Sequence, residues 1–402
     1  MKKMVFLILA MNVALLCGCG AQSAQSGEQT APSSTVDYTA GADEVAALEK
    51  LYEGRVAYHG DLHTHTNSGG KSDGHVNIED WAIALDRVGI DFTAIVDHAQ
   101  TLHMYNDAWD DTRFICGAEN GQLVMSINTN YGSQKMHGNY LFPDVESYEK
   151  VLNAFPLIYA YNTATHTFNS YAGPDGTYNA ISRDQMIQIV ESVKENGGLF
   201  VFDHPVDPGY CPTSGEPLDC WYVDDTAIEV FYGAYGYAED YELMQQQYTL
   251  WKNILAAGKR VWASAGSDTH RSPNHNALST IYASEQSGKG YIERLRMGDF
   301  APSPMGVRMA IGETTMGGQA NFEGQKVIFS VGDFHESVLV KYKSFRVALC
   351  NDAGEVFSQE FSADQMAYFS IDADSSSKYY WVEIYDAASN KLIGMGNPIW
   401  NQ

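Results

Sequence analysis

Positive charge is scarce in this chain, with 25 Lys+Arg against 50 Asp+Glu and a formal charge of −25. A surface of that sign repels phosphate backbones, so nucleic acid is not expected as a partner. Cysteine is scarce as well, at six in 402 residues. The sequence has no P-loop, no Rossmann glycine fingerprint and no GxSxG elbow. Nucleotide-cofactor chemistry and covalent serine catalysis therefore find no support. No internal repeat is visible, and after the N-terminal segment no apolar run reaches membrane-spanning length. Core material is not lacking. A hydrophobic content of 45% with 12% aromatics excludes wholesale disorder, and the length predicts two domains.

The first residues, "MKKMVFLILAMNVALLCGCGAQ", join a basic Lys2–Lys3 start to a short apolar run from Val5 to Leu16. That run has the shape of an export signal rather than a membrane span. It ends in "LCGC", which resembles a bacterial lipobox, with Cys17 an unusual occupant of its second position. The expectation is a lipoprotein signal over residues 1–18 and a lipid on Cys19, which would anchor the chain to the membrane at the cell envelope, outside the cytoplasm. The plainer alternative is a cleaved signal with incidental cysteines. Residues 19–44, rich in Ser, Gln, Ala and Gly, read as a flexible tether. Export permits disulfides. Cys211 and Cys220 flank the loop "CPTSGEPLDC" and are either stapled or free, whereas Cys116 and Cys350 lie in apolar runs and read as buried thiols.

Over residues 45–300, β-type runs alternate with helical patterns. "NIEDWAIALDRVG" leads into "DFTAIVDH", and "ISRDQMIQIVESVKENGG" leads into "LFVFDHP". This alternation predicts an α/β fold with a mainly parallel, barrel-like sheet. After the Pro/Gly-rich "APSPMGVRMAIGETTMGG", residues 301–402 carry strand-like runs separated by turn signals, with no helix-length pattern. They predict a small all-β sandwich of immunoglobulin-like type.

The stretch "HGDLHTHTNSGGKSDGH" holds four histidines and two aspartates at a predicted strand end. Residues two apart on a strand face one side, so Asp61, His63 and His65 point together. Similar residues recur near later strand ends: Asp97 and His98 in "VDH", Glu119 in "GAE", His137 in "HGN", His204 in "DHP", and Asp268 and His270 in "GSDTH". In a parallel barrel those ends share one rim, where a composite metal site assembles.

These motifs, in this order over roughly residues 55–275, resemble the PHP (polymerase and histidinol phosphatase) metallohydrolase family. The resemblance implies a distorted seven-stranded β/α barrel whose rim holds two or three divalent ions. Carried over by motif, His63, His65, Glu119 and Asp268 hold the first ion. Glu119 bridges to a second, held by His137 and His204. Asp73, His98 and His270 hold the third. The loop before Asp73 is longer than the family's, which leaves His75 as a substitute ligand. Glu229 lies outside the usual ligand set. His103, His166, His275 and His335 match no motif and read as surface or substrate-side residues. The lipobox, the tether, the C-terminal β-domain and the closing "GMGNPIW" resemble the CehA/McbA-type exported lipoprotein branch.

Imidazole and carboxylate donors without thiolates suit Zn, Mn or Fe and argue against Fe–S or Cu(I). Two adjacent ions would bring a shared water towards a neutral pKa, giving a hydroxide nucleophile, and a third favours phosphoesters. Glu119 and Asp268 are thus candidate catalytic groups, and Lys71 and Arg271 are candidates for contacting a small anionic substrate. The first reading is a metal-dependent phosphoesterase. The alternatives are a metallohydrolase of a carbamate, amide or carboxyl ester, and a non-catalytic substrate- or glycan-binding surface lipoprotein.

Overall fold

The segment "NIEDWAIALDRVG" folds as its pattern dictates. Ile78–Val88 is a helix with Ile78, Trp81 and Leu85 buried along one face, and Gly89, at φ 68°, ends it in the left-handed region. The computed structural model describes residues 38–119, 123–125, 134–168, 180–181, 183–206, 223–233, 237–363 and 365–402. The expected signal segment, Cys19, most of the tether, and the Cys211–Cys220 pair lie outside those residues.

Nine strands form the principal sheet. They are β1 (Val56–Thr64), β2 (Phe92–Ile95), β3 (Phe114–Glu119), β4 (Gly138–Phe142), β5 (Leu199–Phe202), β6 (Thr226–Tyr232), β7 (Val261–Gly266), β8 (Ser279–Ala283) and β9 (Phe300–Ala301). Their order is β7-β6-β5-β4-β3-β2-β1-β8-β9. Beyond the end of β7, Thr269 bridges Thr64 of β1, and the His65 amide donates to the Thr269 carbonyl at 3.0 Å. The sheet is thus nearly closed, and the mixed α/β class expected from the sequence is present.

The sheet is parallel-rich, as expected, with three antiparallel-paired strands as exceptions. β1–β2, β2–β3, β5–β6 and β6–β7 are parallel. β4, however, runs antiparallel to both β3 and β5, and β8 and β9 are antiparallel additions. A parallel neighbour needs a crossover, usually helical, whereas an antiparallel return does not. Among the described residues no helix lies between Glu119 and Gly138. Because β4 is reversed, its beginning rather than its end meets the rim: Asn139 pairs with Glu119, and Gly138 pairs with Phe202.

Beyond β9, Met305–Ile311, Lys326–Phe334 and Ala367–Asp372 form one antiparallel sheet. Ser344–Asn351 pairs with Gly354–Ser362 and with Tyr379–Asp386 in another. Val307 and Phe329 from the first share an apolar core with Val347 and Val382 from the second. A six-residue helix, Glu336–Lys341, stands in a region read as free of helix. The second sheet also packs on the principal, nearly closed sheet and its helices. Trp381 and Met395 belong to the same buried cluster as Trp251 and Trp262, and the Trp251 and Trp381 rings meet edge to face at 5.8 Å.

Asn397 stitches the two parts together. Its Oδ1 accepts from the Ala263 amide at 2.8 Å, and its Nδ2 donates to the carbonyls of Ala263 at 3.2 Å and Phe300 at 3.1 Å. A buried side-chain amide thus satisfies β7 where no strand pairs with it. Cys116 and Cys350 are buried free thiols, as expected. Among the described residues no helix is long and apolar enough to cross a membrane.

Candidate metal centre

The rim gathers all nine sequence-nominated donors into overlapping groups. In the first, His63 Nε2 and His65 Nε2 face each other at 3.2 Å. Glu119 Oε2 lies 3.6 and 3.3 Å from these two nitrogens, and Asp268 Oδ1 lies 3.4 and 3.1 Å from them. In the second, the other Glu119 oxygen faces His137 Nδ1 in close contact and His204 Nε2 at 3.6 Å. In the third, Asp73 Oδ2 meets His98 Nε2 at 3.4 Å and His270 Nε2 at 3.3 Å, while Asp73 Oδ1 lies 3.9 Å from His65 Nδ1. His98 Nδ1 stands 3.3 Å from Glu119 Oε2 and so links the third group to the first. Within each group the candidate ligand atoms lie within 4.8 Å of one another.

Asp73, rather than His75, faces this centre. His75 is exposed, and its amide donates to the His270 carbonyl at 2.6 Å. Lys71 and Arg271 are exposed, and no ion pair of either is seen among the described residues. Asp61 shares the β1 face with the two histidines but joins no donor group. Its Oδ1 accepts from the amides of His63 and Ser267, each at 3.0 Å, and thereby pins β1 to the end of β7. Burial pushes its carboxyl up to about 7.

Of the side chains that aim the donors, Asp203 and Tyr232 were missed in the sequence. Glu229 Oε1 accepts from His63 Nδ1 at 2.9 Å, and Oε2 accepts from the His204 amide at 2.8 Å. Asp203 Oδ1 lies 3.9 Å from His63 Nδ1. The Tyr232 hydroxyl donates to Asp268 Oδ2 at 2.8 Å. Asp97 accepts from the Thr66 amide at 2.6 Å and from the Thr66 and Ser68 hydroxyls, which folds the loop after β1 back onto β2. His204 and Asp268 have φ of 25° and 49°, sparsely populated values for non-glycine residues. The contacts from Glu229 and Tyr232 hold these two turns.

Two histidines read as surface residues are buried instead. His103 is 2% exposed, with Nε2 against the Gly117 carbonyl at 3.1 Å and Nδ1 3.3 Å from Asp97. His335 is 3% exposed and caps the Glu336–Lys341 helix. His166 is partly exposed and stacks on Tyr105 at 3.8 Å. His275 is exposed, with Nε2 2.8 Å from the Val88 carbonyl.

No family model matches the sequence, nor does any curated protein. Solved structures similar to it include a two-domain protein from Bacteroides vulgatus, described as containing a predicted PHP-like metal-dependent phosphoesterase. The likeness covers 86% of this chain and 95% of that one, at 14% identity and a TM-score of 0.36. An amidohydrolase from Chromobacterium violaceum, with bound sulfate and no metal, is similar over 54% of this chain and 89% of its own at 16% identity and a TM-score of 0.34. The lesion-specific endonuclease Q of Pyrococcus furiosus is similar over 60% and 56% at 13% identity and a TM-score of 0.38. At these values likeness fixes neither family nor reaction. The chemistry rests on the side chains.

Their electrostatics are those of a cation site. Burial would raise the Glu119 carboxyl, but His137 and His98 hold it well below its ordinary value. Burial opposes protonation of His98, yet Glu119 and Asp73 raise it to about 9. Asp73 is likewise held low against burial by His270 and His98. His65 Nδ1 is buried without a hydrogen-bond partner. Buried imidazoles and carboxylates at these separations need protons or a cation among them. The donor set, nitrogen and oxygen without thiolate, fits divalent Zn, Mn or Fe.

Proposed function

We propose that this chain is a metal-dependent hydrolase, and within that class a phosphoesterase using two or three divalent ions. The observation that carries the reading is the sharing of donors: Glu119 turns one oxygen to each of two groups, while His65 and His98 connect to a third. In this reading His63, His65, Glu119 and Asp268 hold one ion, and Glu119, His137 and His204 hold a second. Asp73, His98 and His270 hold a third. When bound, such ions supply Lewis acidity and lower the pKa of water towards neutrality. The chain's own residues do the positioning. Glu229 fixes the His63 ring, leaving Nε2 to face the site. Tyr232 orients Asp268. Lys71 and Arg271, exposed in the loop after β1 and beside His270, are assigned to the approach of a small anionic substrate.

The finer fold reading belongs with this proposal: β1–β7 as a PHP-type barrel, and residues 301–402 as an immunoglobulin-like domain without metal donors. The lipobox-like "LCGC" supports anchoring at the cell envelope through Cys19, and Cys19→Ser is expected to move the protein from the membrane fraction to the soluble one. Retention in high-salt, detergent-free extracts would contradict the anchor. The reaction is tested by metal analysis of the purified protein with a panel of p-nitrophenyl phosphate monoesters, diesters and carboxyl esters, with and without Mn or Zn. His63→Ala is expected to lose metal and turnover while keeping its circular dichroism. Preferential hydrolysis of the carboxyl esters would replace the phosphoesterase reading.

A further inference from the structure

A cavity of about 300 Å³ lies between the rim of the principal sheet and the C-terminal part, where the helix Glu336–Lys341 and the strand Leu392–Met395 face it. Tyr232 and Leu278 line it from the barrel side, and Val338, Lys341, Tyr342 and Ile393 line it from the other. Its size is at the small end for a ligand pocket, and its walls combine apolar and aromatic side chains with the polar His275, Asn276, Ser337 and Lys341. Tyr232 is shared with the donor cluster: its hydroxyl donates to Asp268 Oδ2 at 2.8 Å, and its ring centroid lies 5.3 Å from that of His204. One side chain therefore forms both a wall of the cavity and a support of the donors. On the far side, the Lys341 ammonium lies 5.2 Å from the Tyr342 ring centre, a cationic feature that disfavours a positively charged occupant.

We propose that this cavity receives an uncharged apolar or aromatic organic group of the substrate while the ester's phosphoryl end sits at the donors. The inference rests on the phosphoesterase reading and narrows it: the substrate is an alkyl or aryl phosphoester, and residues from the helix Glu336–Lys341 and the strand holding Ile393 select it. Ile393 and Val338 are specificity-determining wall residues; they touch no donor group.

The test uses the full-length, metal-loaded protein and two ligands whose C–P bond resists hydrolysis, methylphosphonate and 1-naphthylmethylphosphonate, measured by calorimetry. The aromatic ligand is expected to bind at least about tenfold more tightly, a modest share of what burying a bicyclic ring supplies. Ile393→Trp fills the cavity and is expected to remove that advantage, leaving the methylphosphonate Kd and metal content unchanged. Asn276→Trp, at an exposed position on the opposite, barrel-side wall, serves if the first variant misfolds. Equal affinities in the wild type, binding of neither ligand, or an advantage that survives the filling substitution would overturn the proposal. The expected binding pattern without turnover of any phosphoester would support the cavity and sink the phosphoesterase reading.

Discussion

Gly266, the last residue of β7, is a sensitive point of the candidate centre although it carries no functional group. A Cβ added there would sit 2.2 Å from Glu229 Oε1 and 2.5 Å from His63 Cβ. Both contacts are far inside van der Waals separation, so the Glu229 carboxylate and the β1 backbone must move apart by about 1 Å. Glu229 Oε1 is the atom that fixes the His63 ring at 2.9 Å, so Gly266→Ala strikes the centre without replacing any donor. Overpacking of this kind costs about 1–3 kcal/mol of stability, and misaiming a ligand costs about 10–100-fold in metal affinity. The assay is Zn or Mn titration by calorimetry with thermal melts of the metal-free protein. Because part of the damage passes through Glu229, Glu229→Ala is expected to cost less affinity in the Gly266→Ala background than in the wild type. Wild-type affinity in Gly266→Ala, or strict additivity of the two substitutions, would refute the reasoning.

Two further outcomes are expected. Asn397→Ala leaves the Ala263 amide and two buried carbonyls unpartnered, at about 1–3 kcal/mol for each group that water cannot reach; a Tm within error of wild type would show that the stitch contributes nothing. His59 is held to about 3 by burial and by the neighbouring His335. The unfolded chain takes up that proton near pH 6.5 and the folded one does not, so stability falls as pH drops between about 6.5 and 3, by up to about 1.4 kcal/mol per pH unit. His59→Gln should flatten this slope in a series of melts at fixed ionic strength, and an unchanged slope would exclude His59 as its source.

Most of the candidate donors were legible in the sequence because they lie beside short apolar strands, which local alternation finds; Asp73, in the loop after β1, came only from the motif. Their supports were only partly legible. Glu229 stands out at a strand end as at most a support of the ligands, but its partners emerge only when His63 on β1 and the turn at His204 come within reach, and Tyr232 acquires its role only when the turn at Asp268 does. His103 and His335 were misread as surface residues because a lone histidine gives no sign of what will cover it. The reversal of β4 was hidden for a related reason: the sequence marks a strand but not its direction, which depends on the connection before it. In the C-terminal part, the strands and turns were readable from alternation. The packing of Trp381 and Met395 into the barrel's buried cluster was not, since apolar periodicity does not say which neighbour it serves.

The Asn397 contact has a consequence in time. Ribosomes deliver the chain from its N-terminal side, so β7 is made 134 residues before the side chain that completes its hydrogen bonding at Ala263. At about 5–20 residues per second, that is a lag on the order of ten seconds. During it the strand leading to Asp268 has an unsatisfied backbone pair, and its neighbours lack the aromatic cover of Trp381. Complete hydrogen bonding of β7, and the aromatic cover of its neighbours, is therefore expected only once the late-made sheet docks.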